Sequence, residues 1–165
     1  MAEVMILCGK VAAGKTTFAK KVVKEQNAVL LSIDDLVIRL RDHCEGPKRL
    51  QKMESDIRAY FCALIQQLTA KDITCVVDHG HWTKASRMQL ISFCREHGIP
   101  FRIILLECHR EVRLRRLYRR NEQLMKTNTK GYVIDEEQLD RFDRWFEDPD
   151  EEERPFVYVI RNEEE

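Results

Sequence analysis

Nine consecutive residues carry the clearest chemistry in this chain. Gly9-Lys10-Val11-Ala12-Ala13-Gly14-Lys15-Thr16 matches the phosphate-loop pattern GxxxxGK[ST] at every fixed position, and Thr17 continues it. The glycines permit a turn whose backbone N–H groups point inward at phosphate oxygens. Lys15 is expected to reach the β- and γ-phosphates of a nucleoside triphosphate. Thr16 is expected to place its hydroxyl on the Mg²⁺ that such a ligand brings. A helix opening at residues 15–17 adds partial positive charge at its N-terminus.

Four further groups could act on a bound phosphate chain. Ser32-Ile33-Asp34-Asp35 closes an apolar stretch. Asp34 suits a general base that takes the proton of an attacking hydroxyl, and Asp35 suits the N-cap of the helix that follows. Thr74-Cys75-Val76-Val77-Asp78 is a second apolar stretch ending in an acid, which suits either a direct or outer contact to Mg²⁺ or a turn before His79-Gly80. Residues 109–120 hold six arginines against one glutamate, with Arg113, Arg116 and Arg120 at helical steps on one face. Arginine forks grip phosphate bidentately, so some should face a polyphosphate. The others could pair with the acidic segment 147–153. Arg87, in the first turns of a later helix, suits a substrate or phosphate contact or, equally, a salt bridge. His79 and His81 invite a zinc reading, but two histidines two apart without a CxxC pair support it weakly.

These residues need a scaffold, and the apolar pattern supplies one. The continuous apolar run at 4–8 suits a strand buried on both faces, and further strands are expected at 28–33, 73–77, 101–106 and 156–160. Between them lie amphipathic stretches at 15–26, 36–44, 48–70, 84–97, 109–121 and 135–146. In the longest, Leu50, Met53, Ile57, Phe61, Leu64 and Leu68 recur at steps of three and four. Asp135 with Gln138 forms a capping box. Strands alternating with helices predict an α/β fold: a five-stranded parallel sheet with helices on both faces, in one domain over residues 1–165. Ligands on such sheets bind beyond the carboxyl ends of the strands, where the phosphate loop, Asp34 and Asp78 all fall.

Composition narrows the partners. The chain has 165 residues, 28 Lys+Arg and 28 Asp+Glu. This length can bury a core without disulfides. A net charge of zero gives no general attraction to nucleic acid or anionic membranes. No apolar run approaches the roughly 20 residues of a membrane span, and the N-terminal run is too short for a signal peptide. Six scattered cysteines then read as reduced, mostly buried side chains, and a cytoplasmic location is expected.

The phosphate loop, the Ser-Ile-Asp-Asp-Leu segment, the Val-Val-Asp…Arg87 stretch and the Leu-Arg-Arg-Leu-Tyr-Arg-Arg-Asn helix together resemble small P-loop kinases. The group includes chloramphenicol phosphotransferase, zeta toxin and the kinase part of polynucleotide kinases. The stretch from Leu139 to Glu153 resembles the C-terminal region of bacterial ATP-binding members of this group. The resemblance implies a nucleotide-kinase-like fold that binds ATP and Mg²⁺ and moves a γ-phosphate to a hydroxyl of a small molecule. It gives Asp34 the role of catalytic acid–base and Lys15 and Thr16 the phosphate and Mg²⁺ roles. Arg116 and Arg120 match lid arginines that clamp the triphosphate. Helices over 36–70 should cap the acceptor, and 109–134 should form the lid. Polynucleotide kinases carry an arginine three residues after the catalytic Asp, where this chain has Val37. That departure and the neutral charge point away from a 5′-hydroxyl nucleic-acid kinase. A nucleotide-dependent binding module, with 147–153 as a partner face, is the reading from another class.

Overall fold

The computed structural model describes residues 1–80, 82–127 and 131–163. Strands β1 (Val4–Cys8), β2 (Ala28–Ser32), β3 (Thr74–Asp78), β4 (Phe101–Glu107) and β5 (Val157–Arg161) form one sheet in the order β2-β3-β1-β4-β5. Every pairing is parallel, although the edge strand β5 leaves Tyr158 and Val159 exposed. β1 lies at the centre, with Val4 opposite both Cys75 and Phe101. β2 and β3 end in register, Ser32 opposite Asp78. That alignment brings the two acidic segments to one edge of the sheet.

Alternate residues of β1 serve opposite faces. Val4, Ile6 and Cys8 pack with Ile57, Phe61 and Ile65 of α3 (Pro47–Thr69) and with Leu90, Ile91 and Cys94 of α4 (Lys84–Glu96). Met5 and Leu7 pack with Ala19 and Val22 of α1 (Lys15–Glu25). Both faces of β1 are therefore buried, which explains why its sequence shows no polar alternation. A third cluster joins Val11 of the phosphate loop to Leu117 and Leu139. These belong to α5 (Arg110–Thr127) and α6 (Glu136–Trp145). This cluster fixes the loop to the arginine-rich helix.

Two boundaries differ from expectation. Helix α2 spans Ile33–Leu40 and begins three residues early, because Ser32 is its N-cap and accepts a hydrogen bond from the Asp35 N–H at 3.2 Å. Asp35 is therefore not the cap. It sits with Asp34 in the first turn, where the helix dipole favours acids. Helix α5 runs to Thr127, beyond the expected end at 121. The capping box at Asp135 and Gln138 forms as read from the sequence. Cys8, Cys75 and Cys94 are buried, and all six cysteines are unbridged. Among the described residues no helix is long and apolar enough to cross a membrane.

Candidate active site

The phosphate loop joins β1 to α1 in a conformation few other sequences could adopt. Gly9 has φ +144°, and a Cβ there would lie 2.6 Å from the Leu106 carbonyl oxygen. Gly14 has φ +98°, and a Cβ there would run into the Asn162 amide. Ala12 is held at φ +61°, a strained value for a residue with a Cβ. Helix α1 opens with no side-chain cap and no acid in its first turn. Its first N–H groups thus lack a side-chain acceptor, the arrangement that accommodates an anion.

Lys15 curls back over the loop and donates to the carbonyl oxygens of Gly9 (2.7 Å) and Lys10 (3.0 Å). Desolvation lowers its pKa, opposed by the nearby carboxylate of Asp78. The Thr16 hydroxyl donates to Asp78 Oδ2 at 2.8 Å. Asp78 is 5% exposed. Burial raises its pKa, and the Thr16 hydrogen bond and Lys15 oppose that only in part. A hydroxyl and a buried carboxylate oxygen this close are hard oxygen donors of the kind Mg²⁺ takes, with its other ligands coming from phosphate and water. Among the described residues no group of three or more His, Cys, Asp or Glu side chains could hold a metal ion. His81, half of the zinc reading, lies outside the described residues.

Asp34 and His79 meet just beyond β2 and β3, with His79 Nδ1 3.3 Å from Asp34 Oδ1. Asp34 is exposed. Asp35 points elsewhere, its carboxylate taken by Arg39 at 3.0 Å on the exposed face of α2. Tyr132 faces the same region. Burial raises its hydroxyl pKa, with the Asp34 charge adding to the effect, and the Arg41 guanidinium stacks 5.3 Å from its ring centre. A groove of about 560 Å³ between α2 and α3, lined by Leu36, Leu40, Met53, Ile57 and Tyr60, contains none of the expected site residues.

The arginines divide. Arg116 reaches the loop, donating to the Ala12 carbonyl (3.4 Å) and to the carbonyl of Asn162 (3.1 Å). Arg120 lies one turn on and donates to the Tyr132 carbonyl at 3.3 Å. Its Nε is buried without a hydrogen-bond partner among the described residues, and burial lowers its pKa. Arg113 is buried and forms a fork with Asp143 (2.9 and 2.5 Å), while donating to the Val11 carbonyl. Arg110 pairs with Glu136 and Asp140. The acids that neutralise this helix therefore come from α6, where the sequence had suggested 147–153.

Segment 147–153 serves another residue. Arg87 is completely buried, with its guanidinium forked on Glu153 at 2.6 and 2.9 Å and a third bond to the Glu147 carbonyl. The expected substrate contact gives way to this ion pair, since a side chain so enclosed cannot meet a ligand in this conformation. Lys84 adds bonds to Asp150 and Glu152. Sequence reasoning missed Asn162, whose side-chain amide donates to the Ala13 carbonyl at 2.9 Å. It follows directly on the carboxyl end of β5, so the strand-end rule was a usable signal for it. The Arg113–Asp143 fork gave no such signal, because nothing in local spacing ties residues 30 apart.

A five-stranded parallel sheet carrying this loop, with an arginine helix packed against it, is the fold of small P-loop kinases. Residues 4–149 match the family described as an AAA domain, and the chain belongs to that family. Among solved structures, Kti12 of Chaetomium thermophilum in complex with ADP-AlF3 is similar, with TM-score 0.65 and 16% identity over 96% of this chain and 88% of that one. A gluconokinase from Sinorhizobium meliloti is similar with TM-score 0.59 and 15% identity over 99% and 84%. A chain of the Pnkp1/Rnl/Hen1 RNA repair complex gives 0.67 and 20% over 87% of this chain and 43% of that one. At such identities the likeness is one of fold. No curated protein matches the sequence.

Proposed function

We propose that the protein is an ATP- and Mg²⁺-dependent phosphotransferase that moves the γ-phosphate of ATP to a hydroxyl of a small-molecule acceptor. The observation that carries this reading is the convergence of Lys15, the Thr16–Asp78 pair and Asp34 at the carboxyl ends of three adjacent strands. The loop amides and Lys15 would hold the phosphate chain, with Arg116 and Arg120 supplying lid charge over residues 109–134. Thr16 and Asp78 would hold Mg²⁺, which screens phosphate charge when bound. Asp34 would orient the acceptor hydroxyl and take its proton. The hydroxyl oxygen forms a bond to the γ-phosphorus, the bond to the β,γ-bridging oxygen breaks, and ADP leaves. Helices over 36–70 would cap the acceptor.

Val37 supports a small acceptor over a polynucleotide. It is 4% exposed and part of the sheet core, so this position presents no side chain to a phosphate backbone. Asp34→Asn tests the proposal. It should leave ATP affinity within about twofold and lower acceptor-dependent ADP release by on the order of 10²–10⁴, measured across a panel of polyols, sugar acids and nucleosides. Turnover that survives the change would remove Asp34 from the base role. ATP binding with no acceptor-dependent ADP release in wild type would favour a binding module.

A further inference from the structure

We infer that His79 is the positioning residue that holds the Asp34 carboxylate toward the phosphate loop. The inference rests on reading Asp34 as the base. Three observations carry it. First, Asp34 is in the first turn of α2, with its side chain 57% exposed, so its own helix does little to restrict it. A base must be held in reach of one hydroxyl proton, and a free rotamer would spend most of its time in water. Second, His79 is the opposite case. Its side chain is 15% exposed and its Nδ1 lies 3.3 Å from Asp34 Oδ1. It follows directly on Asp78, the last residue of β3, so its backbone is anchored by the sheet. Third, Gly80, which follows it directly, is in close contact with Trp82. The Trp82 N–H donates to the Gly80 carbonyl at 2.5 Å, and a Cβ on Gly80 would lie 2.9 Å from the Trp82 ring.

The chemistry fixes the direction of the bond. An ionised carboxylate only accepts, so His79 Nδ1 must carry the hydrogen. The bond occupies Oδ1 and leaves Oδ2 of Asp34 for the acceptor hydroxyl. His79 takes no proton in this scheme. Its contribution is to convert an exposed carboxylate on a helix end into one with a fixed direction, as outer hydrogen bonds do for metal-bound histidines.

Two measurements test this, one of them independent of any acceptor. In ¹⁵N-detected NMR, the neutral His79 imidazole should be the Nδ1–H tautomer, and Asp34→Ala should release it to the Nε2–H form. Finding Nε2–H in the wild type overturns the inference. In ADP release from ATP with water as the probe acceptor, His79→Ala should lower kcat on the order of tenfold with KM for ATP unchanged. His79→Asn, which keeps a donor near the Nδ1 position, should restore most of that loss. His79→Gln, which moves the donor outward, should not. On an Asp34→Ala background, His79→Ala should add nothing. Equal losses in the Asn and Gln variants, or full additivity with Asp34→Ala, overturn the inference while leaving the base reading intact. Unchanged turnover in Asp34→Ala itself would overturn the base reading.

Discussion

Two buried charged sites lie side by side at the carboxyl edge of the sheet and solve burial in opposite ways. In one, Arg87 and Glu153 are both fully enclosed and satisfy each other through two short bonds. In the other, around the phosphate loop, charge is matched only in part, by the Thr16 hydroxyl and Lys15 at Asp78 and by the Tyr132 carbonyl at Arg120. Asp78 is buried with its pKa pushed up, and the Arg120 Nε has no hydrogen-bond partner among the described residues. A charge matched inside the protein is a structural element. A buried charge without a full counter-charge is costly, and it shifts its pKa or is completed by a ligand. The difference separates Arg87, enclosed with its counter-ion, from Arg120, which donates to a main-chain carbonyl.

The largest effect should come from breaking the closed site. Arg87→Ala leaves Glu153 buried without its counter-ion and should cost about 3–5 kcal/mol in denaturant unfolding. The double replacement Arg87→Met with Glu153→Leu should recover most of that loss. If Arg87→Ala folds normally but loses ATP affinity, the contrast between the two sites is wrong. Next in size is Arg116→Ala. It should lower turnover on the order of 10²-fold while costing only about 1 kcal/mol of stability for its bonds to main-chain carbonyls. Equal damage to stability and turnover would place Arg116 with Arg87.

The smallest effect sharpens the comparison most. The folded-state pKa of Asp78 is raised above its ordinary value of 3.8, so the folded protein holds that proton more tightly than the unfolded chain. The stabilisation this gives is present in acid and is lost as pH rises through the raised pKa. Asp78→Asn removes the ionisation cost. Without nucleotide or Mg²⁺, the variant should melt above wild type at neutral pH, and the gain should vanish below the ordinary Asp range. Added MgATP should stabilise wild type more than the variant. A variant less stable than wild type at neutral pH would mean that Asp78 is matched internally, as Glu153 is.

Much of this site could be read directly from residue order. The phosphate loop is contiguous, so its pattern, its strand and its helix all fall within 22 residues, Val4–Glu25. Asp34 and Asp78 could be found because Asp78 ends an apolar strand and Asp34 follows one by two residues, and the alternation of strands and helices predicts parallel pairing. The capping box at Asp135 is likewise a local signal. The start of α2 escaped this reading, because Ser32, Asp34 and Asp35 are all good caps and propensity alone does not choose among them.

The sequence by itself determined a parallel α/β sheet with a phosphate loop at its edge, because hydrophobic period and turn chemistry act over a few residues. The tertiary structure decided which charges are spent and which are kept. It turned Arg87 inward to Glu153, 66 residues away. It gave Arg113 to Asp143 and laid Arg116 on the loop beside Asn162. It also brought His79 to Asp34 across two strands. Each of these is a contact between groups distant in sequence, set by strand order and helix packing. Nothing in the local pattern of a charged residue specifies which opposite charge will arrive beside it.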